Sequence, residues 1–202
     1  MNAIIYTITN PPKKYKKLSQ KNITQLKISD YYNCKFKINK NITSLILGYC
    51  YTTKLKLTQN ITHIVLGTLF NNKLKLTQNI THITTGYCYN NKLKLHKNII
   101  YLNMNFYFNK RIVIPQNTTY LLFGYSFNKK IKIPHNIIYL TTPYKYNEKI
   151  IIPHNVTHLT LSLTRNYNKK IIIPINITHL KICKISLKKL TILHHIKNIT
   201  FI

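Results

Sequence analysis

One period governs this sequence. Asn22, Asn41, Asn60, Asn79, Asn98, Asn117, Asn136 and Asn155 follow one another at nineteen-residue steps, after which the steps lengthen to Asn176 and Asn198. A repeat this short restricts the fold to an array, because one unit cannot bury enough apolar surface to offset the ordering of its own backbone. Stacking on a like neighbour is obligatory.

Written from one Asn to the next, the unit is N-I-T-H-L-x-L-G-Y-x-F-N-x-K-I-x-I-P-x, and residues 117–135 carry most of it. Its apolar places are the second, fifth, seventh, eleventh, fifteenth and seventeenth. They form two segments of period two, such as Leu121 with Phe123 and Ile131 with Ile133, which predict two short strands per turn. The second segment is rich in Ile and Lys, closes on Pro115, Pro134, Pro153 or Pro174 in the later units, and is too short for a stable helix. Gly at place eight (Gly48, Gly67, Gly86, Gly124) and Asn at place twelve (Asn33, Asn71, Asn90, Asn109, Asn128, Asn147, Asn168) tolerate left-handed backbone and predict turns. The expected fold is a repeat solenoid, mainly β, of about nine turns spaced ~4.8 Å apart. Residues 22–183 make the array, residues 1–21 a degenerate repeat or cap, and residues 184–202 an irregular repeat or cap. In that last segment Leu187, Leu190, Ile192 and Ile196 fit either a final strand turn or a short helix.

The charge balance is lopsided: 31 Lys and Arg face only Asp30 and Glu148, a formal +29. An AT-rich coding sequence would raise Lys, Asn, Ile and Tyr together, but it would not remove the acids. A partner with an acidic surface is expected. The 45% hydrophobic content argues against disorder. No apolar run reaches the ~18–20 residues of a membrane span, and residues 1–8 have no basic start leading into an apolar stretch. The expected setting is intracellular, nuclear or cytoplasmic, without a membrane partner. Cys34, Cys50, Cys88 and Cys183 lack zinc-site spacing and are read as reduced thiols. Sequons at Asn22, Asn41, Asn60, Asn79, Asn117, Asn155, Asn176 and Asn198 follow from the Asn that opens each unit, since Asn98 and Asn136 keep it without a Thr.

Catalysis has little to stand on. Asp30 and Glu148 lie far apart in the array, no Gly-rich phosphate loop or nucleophile elbow occurs, and neither a cofactor nor a small-molecule substrate is implied.

The I-x-x-L-x-L core of the first half-unit is similar to a leucine-rich repeat. The F-N-x-x-I-x-I-P half, as in Phe127 to Pro134 or Phe108 to Pro115, resembles the FNIP repeat family, found chiefly in amoebae and the large viruses that infect them. The resemblance implies a leucine-rich-repeat-like scaffold for protein interaction, often joined to an F-box. Residues 1–21 are too short for an F-box, and a basic pair such as Lys129 and Lys130 replaces the family's Gln-Pro after F-N.

In a stacked repeat each place becomes a surface row. Place fourteen is basic throughout (Lys35, Lys54, Lys73, Lys92, Arg111, Lys130, Lys149, Lys170), and place sixteen adds Lys37, Lys56, Lys75, Lys94 and Lys132. This row is a candidate anion-binding surface for nucleic acid or another polyanion; the competing account is a solvated face that resists aggregation. Place four carries His63, His82, Tyr101, Tyr120, Tyr139, His158 and His179, a candidate protein-contact row on the face that leucine-rich repeats commonly use. His63 and His82 lack the further ligands that zinc wants, and His194 and His195 fare no better, so no metal is expected. Aromatics at place eleven are expected in the core, while those at place nine are either core or an exposed belt.

Overall fold

In the computed structural model, the residues described are 4–8, 23–164, 166–182, 196 and 198–201. The strands are β1 (Ile4–Ile8), β2 (Ile23–Ile28), β3 (Ser44–Ile46), β4 (His63–Val65), β5 (His82–Thr84), β6 (Tyr101–Asn103), β7 (Tyr120–Leu122), β8 (Tyr139–Thr141), β9 (His158–Leu161), β10 (His179–Ile182) and β11 (Asn198–Phe201). They pair in chain order, all parallel, into one 11-stranded sheet. The molecule is a β-solenoid of about nine turns of ~19 residues, and the described residues contain no helix. Place four pairs with place four in every turn, as in His63↔His82, Tyr101↔Tyr120 and His158↔His179. The last pairing holds although the step from Thr157 to Thr178 is 21 residues rather than 19.

The apolar places form internal columns. Ile42, Ile61, Ile80 and Ile99 at place two, Leu45, Ile83, Leu102 and Leu121 at place five, and Phe70, Tyr89, Phe108 and Phe127 at place eleven are all fully buried. Burial pushes the Tyr89 phenol up to about 12, and Tyr146, where burial leads and Glu148 and Tyr167 add to it, likewise to about 12.

Two expectations need correction. Of the two strands expected per turn, the described residues contain one. Places fourteen to seventeen alternate exposed and more buried side chains as a strand would, but from Lys54 onward their N–H groups make no backbone–backbone hydrogen bond among the described residues. The reason is spacing. Equivalent rings in the place-eleven column lie 6.2–6.4 Å apart from one turn to the next, whereas strand pairing requires ~4.8 Å. The turns therefore fan out away from the sheet, which is the concave side, and on the convex back they lie too far apart to form a ladder.

The second correction concerns left-handed backbone, since no residue described has positive φ, glycine included. The turn at places eight to eleven closes with bonds such as Tyr51 N–H to the Gly48 carbonyl (3.3 Å) and Phe70 N–H to the Gly67 carbonyl (3.1 Å), and a type I turn needs no left-handed residue. Glycine serves close approach instead: a Cβ on Gly67 would lie 1.9 Å from the Gly48 carbonyl oxygen of the turn before it. Asn at place twelve serves hydrogen bonding. Asn71 Oδ1 accepts from Asn90 N–H, Asn90 from Asn109, Asn109 from Asn128 and Asn128 from Asn147, each at 2.9–3.0 Å. The unit-opening Asn does likewise, its side-chain amide donating to a carbonyl of the neighbouring turn at Asn79, Asn98 and Asn136.

Asn22, Cys183, Leu187, Leu190, Ile192, His194 and His195, with most of both expected caps, lie outside the described residues. Ile196 is buried and is followed by β11.

Candidate interaction faces

The sheet turns its even places outward, and place four becomes a nearly continuous stack of rings. Centroids are 4.1 Å apart between His63 and His82, 4.3 Å between Tyr120 and Tyr139, and 4.2 Å both between Tyr139 and His158 and between His158 and His179. Tyr101 sits more loosely, 5.8 Å from His82 and 6.0 Å from Tyr120. Every side chain of the expected protein-contact row thus joins one ladder.

The preceding Thr fixes each imidazole. Thr62 Oγ1 lies 2.8 Å from His63 Nδ1 and 3.2 Å from the Thr43 carbonyl. The hydroxyl has one proton and the carbonyl can only accept, so Nδ1–H donates to the hydroxyl, which donates onward. Nε2 is left as an acceptor at the outer edge. His179 fits this assignment: its Nε2 lies 3.1 Å from Asn198 Nδ2, a donor, while its Nδ1 lies 2.9 Å from Thr178 Oγ1. Desolvation first, and the neighbouring His63 second, lower the pKa of His82; desolvation and then His179 do the same for His158. The Tyr120 phenol is raised, chiefly by its hydrogen bond to Tyr139. The ladder is a row of imidazole and phenol edges that presents ring nitrogens and hydroxyls along one line.

Place nine makes a second stack at the lip of the sheet, with Tyr87, Phe106, Tyr125 and Tyr144 spaced 4.5, 4.5 and 4.6 Å. Tyr49, Tyr87 and Tyr144 are exposed, so this column is the belt rather than the core. Lys145 lies beside it, its Nζ 5.1 Å from the Tyr125 ring centre.

The back is different in kind. Every place-fourteen residue from Lys35 to Lys170 is exposed, and so are Lys37, Lys56, Lys75, Lys94 and Lys132. Between residues 41 and 164 every Lys and Arg except Lys145 falls at places thirteen to nineteen. Charge and aromatic stacking therefore occupy opposite sides. That segregation is visible in the sequence only once the turn is known to fold back on itself.

Asp30 is committed to structure, its Oδ1 accepting the Tyr49 N–H at 3.1 Å. Among the described residues no group of three or more His, Cys, Asp or Glu is placed to hold a metal ion, Cys34, Cys50 and Cys88 are free thiols, and no helix is long and apolar enough to cross a membrane.

Residues 108–145 match the family model described as FNIP Repeat, within the span where the motif resemblance lies. Among solved structures the chain is similar to CroV588, described as a novel circular LRR protein structure: TM-score 0.68, 26% identity, 90% of this chain and 34% of that one. The chain spans about a third of the length of that protein. No curated protein matches it in sequence.

Proposed function

We propose that this chain is a non-enzymatic repeat scaffold that binds a protein with an acidic surface through its concave sheet face. The observation carrying this reading is the ring ladder from His63 to His179, which presents hydrogen-bonding ring edges along one line of the sheet. Tyr and His at an interface supply large area with few rotatable bonds. The similarity to a leucine-rich-repeat structure supports a binding scaffold. The net charge of +29 supports the choice of partner, since a field of that sign steers acidic surfaces toward the protein and speeds their encounter.

The test uses affinity capture followed by mass spectrometry. Ser44 already occupies place four, so the double substitution Tyr120→Ser and Tyr139→Ser is compatible with the fold. A partner held by the unaltered protein and by Lys149→Gln, but lost from the double variant, is the expected result. A partner lost from Lys149→Gln and retained by the ladder variant would overturn the assignment of the sheet face.

A further inference from the structure

The convex back is not uniform along its length. In the successive turns of Lys35, Lys54, Lys73 and Lys92, place sixteen is also Lys (Lys37, Lys56, Lys75, Lys94), so each turn carries a pair of exposed cations. Farther along, Lys132 is the one cation at place sixteen and the other turns hold exposed aliphatic side chains there, with Val113 at 86% exposure and Ile151 and Ile172 at 73%. The first half of the back is thus a strip two cations wide. In the second half the place-fourteen row runs beside apolar side chains at place sixteen except at Lys132, the other cations (Lys110, Lys129, Lys169) lie one residue earlier at place thirteen, and Glu148 adds a carboxylate.

Between the fanned turns of the first half runs a groove of about 980 Å³, whose floor includes Leu57, Leu74 and Leu76 and whose rim includes Lys56, Lys75 and Lys94. Its backbone donates no hydrogen bond to other backbone in places fourteen to seventeen. No carboxylate lies in residues 31–147 to neutralise the strip. An acidic protein surface mixes carboxylates with neutral and basic side chains at irregular intervals. A strip of paired cations repeated at a fixed step complements a polymer that carries one anion per monomer.

The aromatic columns narrow the choice further. Single-stranded nucleic acid is held by bases stacking on exposed ring faces, but the rings from His63 to His179 at place four and from Tyr87 to Tyr144 at place nine already stack on one another. Lys, unlike Arg, is a point charge that grips phosphate without the planar fork that reads a base edge. We propose that the convex strip from Lys35 to Lys94 binds the phosphate backbone of duplex nucleic acid without reading its sequence. This surface lies opposite the sheet face and is independent of the protein-binding role assigned there.

The experiment follows fluorescence anisotropy of a labelled random-sequence DNA duplex across a salt series. Three proteins are compared: the unaltered chain, the triple variant Lys56→Gln, Lys75→Gln, Lys94→Gln, and the matched triple variant Lys130→Gln, Lys149→Gln, Lys170→Gln. All six side chains are exposed, and circular dichroism establishes that each variant is folded. Each phosphate that a variant no longer neutralises takes about 0.9 off the slope of log affinity against log salt, so the first variant should drop by about 2.7 and the second by less than about 1. Equal drops in the two variants would overturn the proposal, because the charge would then act as a uniform cloud. Displacement of the duplex by poly-glutamate at equal charge concentration would also overturn it, and would assign the strip to an acidic protein. Neither result would touch the sheet-face reading, whose variants lie on the other side.

Discussion

Leu102 beneath the sheet has no exposed surface, whereas Ile112, on the back of the same turn, is only partly buried against the same core. The sheet side also holds its neighbours through strand pairing, the Thr column (Thr62 N–H to the Thr43 carbonyl at 2.8 Å, Thr81 N–H to Thr62 at 2.8 Å) and the Asn column. The back holds them chiefly through side-chain packing, with isolated hydrogen bonds such as Ile150 N–H to the Tyr167 hydroxyl at 3.3 Å. One face is thus cross-linked by backbone and the other is spread by curvature, and chemistry follows mechanics. Stacked rings need close spacing and sit on the concave side. Like charges need distance and sit on the convex side, where a wider step weakens their repulsion.

The largest expected effect tests whether the faces differ in packing. Leu102→Ala should cost about 2–5 kcal/mol in urea denaturation and Ile112→Ala less than half as much, because a half-exposed site leaves a smaller cavity. Equal costs would break the comparison. The next effect tests the cross-linking. Asn109 both accepts from Asn128 N–H and donates its own N–H to Asn90, so Asn109→Ala should cost about 1–2 kcal/mol by orphaning the Asn128 amide. Arg111→Ala, two residues on and exposed, should stay within about 0.5 kcal/mol.

A smaller effect comes from charge. Neighbouring lysines repel by a few tenths of a kcal/mol per pair, and salt screens exposed charges. Melting temperature should therefore rise with ionic strength, and less so in Lys54→Gln, Lys73→Gln. The smallest comes from the ladder. The pKa values of His82 and His158 are lowered in the folded chain, so the unfolded chain binds protons first as pH falls. Stability is fully present above the unfolded value near ~6.5 and declines below it. Both rings are only part-buried, which keeps the decline slight. His82→Tyr, the residue type at this place in the next turn, should shrink it further in thermal melts at descending pH.

The nineteen-residue step, the buried columns and the exposure of Lys73 or Lys130 were all legible in the sequence, because each depends on periodicity alone. The missing second strand was not. Ile131 and Ile133 alternate as a strand would, but whether an extended segment pairs depends on the distance to the next turn, and no local pattern encodes curvature. Gly67 misled for a related reason: glycine marks left-handed backbone and close contact alike, and only the carbonyl of Gly48 distinguishes them. The His and Tyr row could be placed on one face, but not its stacking, which depends on ring orientation.

The turn that takes 21 residues has a consequence for how such a molecule varies by descent. Its two extra residues enter between Leu161 and Tyr167, on the loop side, while His158 and His179 remain in register. Small insertions and deletions in the gene are thus tolerated where they fall in a lip loop, and a change of one whole unit is tolerated anywhere, since each new turn finds the same neighbour as the last. What keeps the register is the count within the strand, which pairs residue for residue from turn to turn. The number of turns is free to drift, and with it the length of both faces.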